Sequence, residues 1–211
     1  MKSPLFEIKQ VVIRGNLYLA EENIRTEADI NMGINIFKIN LAAVADKLKM
    51  MPMIKDARVT RVLPSTVLIN VTERRPLGLL PVGNSFVEVD EEGICLQKAG
   101  SGVPGIPIIT GIKVDAPGLG ERVKAEHLED ALMMTSGLPD EVINKLSEVH
   151  VDQNGQIKAY TLDRIQCRLG EAVDIREKGV VLARILQEMQ KQGAKVKYID
   201  LTSVGKPVVK Y

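Results

Sequence analysis

Residues 54–76 read IKDARVTRVLPSTVLINVTERRP, and this stretch carries the strongest structural signal in the chain. Apolar and polar residues alternate with a period of two on both sides of residues 63–65, as in strands that bury one face. So short a connection between two such segments predicts an antiparallel hairpin. In its second strand, Val67, Ile69 and Val71 share the face that helices should cover.

The segments before the hairpin complete a small unit. Residues 6–13 predict a strand that ends in an Arg-Gly-Asn turn, and residues 20–30 and 41–51 have the apolar spacing of two amphipathic helices. The second helix should stop before Pro52, since proline cannot continue the helical hydrogen bonds. The predicted order is therefore β-α-α-β-β. One face of the first strand is predicted to consist of Phe6, Ile8 and Val12.

Beyond residue 76 the pattern changes to short strands with interspersed helices. We predict an α+β chain in which residues 1–76 form the first domain and residues 77–211 form a mixed-sheet domain with flanking helices and a C-terminal edge strand. The predicted strands are residues 77–81, 85–89, 94–97, 148–152, 156–162, 165–169, 197–201 and 207–210. The predicted helices are residues 124–136, 139–146 and 174–192, and residues 100–107 are predicted to be a loop.

Composition describes a globular chain without an electrostatic preference. Of its 211 residues 45% are hydrophobic, enough to bury a substantial core. The 28 basic and 27 acidic residues give a net charge of +1, which argues against nucleic acid as a partner. No segment approaches the roughly 20 apolar residues of a membrane-spanning helix. We expect a globular chain that binds neither nucleic acid nor a cofactor.

No set of residues in the sequence has the spacing of an active site or a metal site. His127 and His150 lie far from each other and from the cysteines, and a metal site needs three or four ligands. Cys95 and Cys167 match neither a redox pair nor a metal motif, so isolated core thiols are favoured over a disulfide. Acidic residues beside Gly or Asn, namely Asp90, Glu91, Glu92 and Asp152, fit turn chemistry better than paired catalytic carboxylates. We therefore predict a protein that is not an enzyme.

Four groups of motifs carry a family resemblance. They are VVIRGN at residues 11–16; PMIKDARV, RVLPST and INVTERRP within residues 52–76; VDEEG and IPIITG within residues 89–111; and LG followed by YIDL within residues 169–201. Together they resemble the extracytoplasmic region of the FtsQ/DivIB family of bacterial cell-division proteins. The resemblance implies a POTRA domain followed by the family's β domain. The absence of a second copy of the first unit argues against a tandem POTRA array.

The resemblance implies a function in binding rather than catalysis. It describes a divisome scaffold that recruits small bitopic proteins, FtsB (DivIC) and FtsL, to the septum, with the septal peptidoglycan synthase complex as a further partner. It also implies a single-pass inner-membrane protein whose transmembrane helix lies outside this chain, with these residues on the extracytoplasmic side. The alternative is a secretion or outer-membrane assembly module in which the POTRA edge captures substrate strands.

The resemblance assigns different roles to the two ends of the chain. The motif around the hairpin is expected mainly to close the first domain and join it to the second, and the charged residues of the hairpin could pair across its strands. Its expected structural residues are Gly15, Arg61, Pro64, Glu73, Arg74 and Pro76. The last two strands are expected to receive a partner strand at an open sheet edge. The expected partner-binding residues are Tyr198, Asp200, Leu201, Thr202, Ser203, Val208, Val209 and Lys210.

Overall fold

The computed structural model describes residues 4–193 and 196–210. The chain divides into two compact units between Arg75 and Pro76, one residue earlier than expected from the sequence. Among the described residues, the first unit holds three strands and two helices: β1 (Gln10–Arg14), α1 (Glu21–Ala28), α2 (Leu41–Lys49), β2 (Ile54–Val62) and β3 (Thr66–Glu73). This is the β-α-α-β-β order that the sequence predicts.

Strand β3 is the centre of the first sheet. The strand order is β1-β3-β2, with β1 parallel and β2 antiparallel to β3. Helix α1 contributes Ile24 and α2 contributes Leu48 to a core that also contains Val67 and Ile69 of β3. All four side chains are 0% exposed. The predicted hairpin and its buried face are confirmed, and the peptide bond between Leu63 and Pro64 at its turn is cis.

The predicted face of the first strand is wrong. The strand begins at Gln10, after a 3-10 turn at Pro4–Phe6, and it buries Val11 and Ile13 rather than Val12. The cause is the register with β3, which aligns Val11 with Val67 and Ile13 with Ile69. Residues that are aligned across neighbouring strands point to the same face, so the buried face of β3 fixes that of β1.

The second unit is built on one large mixed sheet. Its described strands are β4 (Gly78–Val82), β5 (Ser85–Val89), β6 (Cys95–Ala99), β7 (Ile108–Thr110), β8 (Leu146–Val151), β9 (Ile157–Thr161), β10 (Gln166–Gly170), β11 (Tyr198–Asp200) and β12 (Val208–Lys210). Their order is β12-β11-β10-β9-β8-β7-β4-β5-β6, so β12 is an edge strand. The described helices are α3 (Leu128–Gly137), α4 (Asp140–Ile143) and α5 (Ile175–Gln192).

The helices of the second unit cover one face of the sheet. Leu132 of α3 and Leu182 of α5 share a core with Val149 of β8 and Ile199 of β11. Residues 108–110, predicted only as the apolar end of a loop, form a central strand that is parallel to both β4 and β8. Three residues are too few for a period-two pattern to be recognised.

Helix boundaries differ from the predictions where the backbone leaves the helical region. Helix α3 begins at Leu128 rather than at residue 124, because His127 has a left-handed φ of 59°. The predicted helix 139–146 ends at Ile143, and its last predicted residues instead open strand β8 at Leu146. In the described ranges, no helix combines the length and the apolar character needed to cross a membrane.

Gly15 is required where β1 leaves the first sheet. Its φ is +90°, and a Cβ atom built on it would lie 2.1 Å from the carbonyl oxygen of Val71. Gly33 has a similar φ of +79°, but no atom lies within 4 Å of the position its Cβ would take. An alanine at Gly33 would therefore suffer only the cost of the left-handed backbone, whereas an alanine at Gly15 would suffer that cost and a steric clash as well.

We predict that Gly15→Ala destabilises the first unit more than Gly33→Ala does. The left-handed conformation should cost about 1–2 kcal/mol in both variants, and the clash with Val71 should add roughly 1–3 kcal/mol in Gly15→Ala alone. Native-state hydrogen exchange at the amide of Ile69 measures this difference in the free energy of unfolding. Equal effects of the two substitutions would show that the contact with Val71 relaxes without cost.

Candidate functional site

The last three strands of the large sheet form the expected partner-binding edge. Strand β11 runs parallel to β10, and β12 runs antiparallel to β11 with Ile199 opposite Val209. The amide of Leu201 donates to the carbonyl of Arg168, so the odd-numbered residues of β11 direct their backbone groups toward β10. Tyr198 and Asp200 consequently direct theirs toward β12.

This alternation fixes which backbone groups of β12 face solvent. Val208 and Lys210 lie opposite Asp200 and Tyr198, and the Lys210 carbonyl also accepts a hydrogen bond of 3.0 Å from the amide of Lys197. Val208 and Lys210 therefore use their backbone groups within the sheet. The N–H and C=O groups of Val209, the middle residue of β12, face away from β11 toward the open edge.

Side chains on the helix-free face beside this edge form a connected polar group. The hydroxyl of Tyr198 donates to Asp200 Oδ2 at 2.6 Å, and the amide and hydroxyl of Thr202 donate to Asp200 Oδ1 at 3.0 and 2.7 Å. The guanidinium carbon of Arg168 lies 4.9 Å from the centre of the Tyr198 ring. A cation placed over an aromatic ring is attracted to its face, and this contact holds the exposed Arg168, on the third strand from the edge, against Tyr198 on the second.

Hydrogen bonding sets the ionisation of this group. Partial burial works against the charged form of Asp200, but the bonds from Tyr198 and Thr202 and the charge of Arg168 outweigh it and lower the pKa of the carboxyl. The bond to Asp200 raises the pKa of the Tyr198 hydroxyl, so Tyr198 keeps its donating proton near neutral pH. Asp200 thereby holds the turn that follows β11.

Leu201 must be removed from the expected partner-binding residues. Its side chain is 0% exposed and packs in the core of the second unit, so it supports the sheet from inside and cannot reach a partner. Thr202 and Ser203 are exposed in the turn after β11, and Lys210 and Val208 are exposed on β12, where 47% of Val208 is accessible. Val209 is partly buried against the core, so its contribution to the edge is its backbone.

Two residues near this edge were missed by the sequence reasoning. Arg168 is adjacent to Asp200 and Tyr198 only because β10 and β11 pair in parallel, which the local pattern does not reveal. Lys178 of α5 was not identified from the sequence; it is 1% exposed, and its Nζ donates to the carbonyl of Glu171 at 2.9 Å. This hydrogen bond fixes the loop that follows Gly170. The same loop lies close to the turn after β11, since a Cβ atom at Gly170 would lie 3.4 Å from the Cα of Thr202.

Glu73 joins the end of the hairpin to the loop between β1 and α1. Its Oε2 accepts from the amides of Leu17 at 2.8 Å and Tyr18 at 2.6 Å, and its Oε1 accepts from the amide of Leu19 at 3.0 Å. Three successive backbone donors on one carboxylate make a strong local clamp. The sequence assigned Glu73 to the motif expected to close the first domain, but it did not identify these three donors.

The remaining motif residues have structural positions. The charged residues of the hairpin could have paired across its strands, but Arg61 lies opposite Val67, and its guanidinium donates to the carbonyls of Ile36 and Ile39 at 2.8 Å each. It therefore ties β2 to the loop before α2. The amide of Arg74 donates to the carbonyl of Met53, Pro64 lies in the hairpin turn, and Pro76 begins the second unit.

The histidines, cysteines and acidic residues named above lie in local contacts or in the core of the described part of the chain; the ring of His150 and the carboxylate of Glu148, for example, both contact the hydroxyl of Thr110. Among residues 4–193 and 196–210, no three His, Cys, Asp or Glu side chains could jointly hold a metal ion. Asp152 accepts from the amides of Asn154 and Gln156, as turn chemistry predicts. Cys95 and Cys167 are free and buried, and burial raises the pKa of the Cys167 thiol to about 12, which leaves it unreactive.

Two family models together match nearly the whole chain, one for each compact unit. Residues 6–74 match the model described as POTRA domain, FtsQ-type, and residues 78–202 match that described as cell division protein FtsQ/DivIB, C-terminal. The chain belongs to the FtsQ/DivIB family of cell-division proteins. Each of the two FtsQ/DivIB family models matches one of the two compact units of the structure.

Individual FtsQ/DivIB proteins align over almost all of the chain. It is 26% identical to the cell division protein DivIB of Clostridium botulinum strain Hall, covering 99% of this chain and 83% of that protein. It is 26% identical to the cell division protein FtsQ of Anaeromyxobacter sp. strain K, covering 98% of this chain and 71% of that protein. The solved extracytoplasmic domain of DivIB from Geobacillus stearothermophilus superposes with a TM-score of 0.39 at 15% identity, over 59% of this chain and 99% of that domain.

We predict that Glu73→Gln releases the loop between β1 and α1. An amide offers one acceptor where the carboxylate offers two, so the amides of Leu17, Tyr18 and Leu19 should exchange roughly tenfold faster with solvent. Hydrogen exchange followed by NMR measures this change. Glu7→Gln is the control, because the carboxylate of Glu7 accepts none of these three donors. Unchanged exchange in Glu73→Gln would contradict the clamp.

We predict that acid weakens the turn after β11 through Asp200. Because the folded-state pKa is lowered, the stabilisation is fully present above the ordinary value of 3.8 and is lost as the pH falls below it. The amide resonance of Thr202 should report this titration, and Asp200→Asn should abolish it. Asp152→Asn, which removes another carboxyl of lowered pKa, should leave the Thr202 titration unchanged. A Thr202 titration that survives in Asp200→Asn would refute the assignment.

Proposed function

We propose that this chain is a non-catalytic scaffold of the bacterial division machinery, which holds its partners by strand addition at β12. The observation that supports this most directly is the outward-facing backbone of Val209, with the partly exposed Tyr198 and the exposed Arg168 one and two strands further in. An open edge supplies hydrogen bonds to any extended segment, and neighbouring side chains select which segment binds. The membership in the FtsQ/DivIB family supports cell division as the process in which the scaffold acts.

The proposed partners are the small bitopic division proteins FtsB (DivIC) and FtsL. A strand added to β12 would run beside Val208 and Lys210, and Tyr198 and Arg168 would share its helix-free face two and three strands further in. Arg168 already lies over an aromatic ring and offers a forked donor that suits a carboxylate. We expect a partner segment with an acidic residue on the helix-free face, directed toward Arg168. The septal peptidoglycan synthase complex would then associate through these bound partners.

The proposed location is the extracytoplasmic side of the inner membrane, at the division septum. The relatives are division proteins, and this location is where bitopic partners could present extended segments to a sheet edge. The two units would have different roles, the first as a POTRA domain and the second as the docking domain. The secretion-module alternative rested on the first unit alone, and the match of the second unit to the FtsQ/DivIB C-terminal model weighs against it.

Two proline variants test the docking edge. Val209→Pro removes an amide that faces the partner and leaves the pairing of β12 with β11 intact, whereas Val208→Pro removes an amide that faces β11. We expect Val209→Pro to weaken binding of the extracytoplasmic FtsB (DivIC) segment roughly tenfold or more, since a buried partner carbonyl would lose its donor. Calorimetric titration measures the affinity, and exchange at the Ile199 amide checks the fold.

A charge pair tests the side-chain contribution. Arg168→Glu should weaken the same binding at least roughly tenfold, as expected for an interface arginine. Lys158→Glu is the matched control, because Lys158 lies directly opposite Arg168 on β9 but one strand further from the edge. Undiminished binding in both Val209→Pro and Arg168→Glu would overturn the proposed docking site.

A further inference from the structure

The first unit has an open sheet edge of its own at β1. The strand order places β1 at one side of the sheet, and its parallel register with β3 aligns Gln10 with Thr66 and Val12 with Leu68. The amide of Gln10 donates to the carbonyl of Ser65 at 3.3 Å, which sets the alternation of the whole strand. Gln10, Val12 and Arg14 therefore direct their backbone groups toward β3.

The backbone groups of Val11 and Ile13 consequently face the open edge. The pairing of β3 with β2 gives the same answer independently, because the amide of Arg74 donates to the carbonyl of Met53. Because Arg74 directs its amide toward β2 and backbone groups alternate along a strand, the odd-numbered residues Val67 and Ile69 direct theirs toward β1. Two N–H and two C=O groups thus lie at the spacing that an added strand requires.

A groove runs along this edge. A cavity of about 350 Å³ extends beside five successive residues, from Lys9 to Ile13, and its other wall is formed by Glu21 and Arg25 of α1 together with Met32. Five residues of strand span about 17 Å, so the groove has the length of a short extended segment. The side chains of Val11 and Ile13 are buried in the core, so what these residues offer to the groove is backbone.

The charges around the groove favour an acidic occupant. Lys9 and Arg14 are exposed at the two ends of the β1 edge, and Arg25 lies on the α1 wall, 38% of its side chain exposed. Glu21 of the lining is paired with Arg25, and the carboxylate of Glu22 lies 3.9 Å from the guanidinium of Arg25. The charge of Arg25 is therefore largely balanced, and Lys9 and Arg14 supply the excess positive charge. The excess of positive charge would attract carboxylates on the exposed side of an added strand.

We propose that the β1 edge is a second docking site, which binds an extended acidic segment of another protein as an added strand. The site is separate from β12 and does not depend on the function proposed for that strand. Backbone pairing at Val11 and Ile13 provides the hydrogen bonds, and the exposed Lys9 and Arg14 select for acidic side chains.

Hydrogen exchange on the full chain tests the geometry first. In the free protein the amides of Val11 and Ile13 should exchange rapidly although their side chains are buried, whereas the amides of Val12 and Arg14 should be protected. Protection of Val11 and Ile13 equal to that of Val12 would overturn the proposal, because the edge would then be closed.

Synthetic peptides then test the occupant. The probe is a five-residue peptide of alternating Glu and Val, and the control replaces each Glu with Lys. We expect the acidic peptide to slow exchange at Val11 and Ile13 at least tenfold without changing Val12, and the basic peptide to have no effect. Equal protection by both peptides, or protection by neither, would contradict the proposed selectivity for acidic segments.

Two variants connect binding to this edge. Val11→Pro removes an outward amide and keeps the bonds to β3, so it should abolish the effect at Ile13 while the amide of Ile69 stays protected. Arg25→Glu changes an exposed helix position that is not part of the sheet, so it keeps the test valid if Val11→Pro unfolds, and it should weaken binding at least tenfold. Binding that survives Arg25→Glu, or that is lost in Val209→Pro, would show that the peptide docks elsewhere.

Discussion

In both units, the strict alternation of backbone hydrogen bonding along a strand determines where the molecule can receive a partner. Strand β3 uses both sets of its groups, one toward β1 and the other toward β2, and no rotation of a side chain can change that assignment. The two flanking strands use one set each. The same constraint in the second unit assigns Val208 and Lys210 to the sheet and Val209 to solvent. Side chains adjust around this pattern, but they do not set it.

The sequence predicted those parts of the fold that depend on neighbours along the chain. The hairpin of β2 and β3 was found because its two strands are joined by three residues and both show period two. The face of β1 was missed because it is set by parallel pairing with a strand more than fifty residues away. Strand β7 was missed because both of its neighbours are remote in sequence. Pairing at long range leaves little trace in a local pattern.

The candidate site shows the same division. The resemblance placed the expected docking edge at the last strands, and it named Tyr198 and Asp200, which the structure brings together in one hydrogen-bonded group. It did not identify Arg168, whose position depends on the pairing of β10 with β11. The resemblance also counted Leu201 as a contact residue, and a Leu at the end of a strand has no sequence signal that would have placed it in the core instead. Burial of Lys178 was equally hidden, because a lysine in an amphipathic helix is normally solvated.

The shortness of β12 has an energetic consequence for whatever binds it. Val209 offers an added strand one N–H and one C=O group, and each hydrogen bond contributes only about 0.5–1.5 kcal/mol net. Even a micromolar complex requires about 8 kcal/mol, so most of the affinity must come from side chains on either side of the strand. Loss of a few of those side-chain contacts would therefore release the segment while the edge itself stayed intact. An attachment of this kind can be exchanged during the assembly of a larger complex.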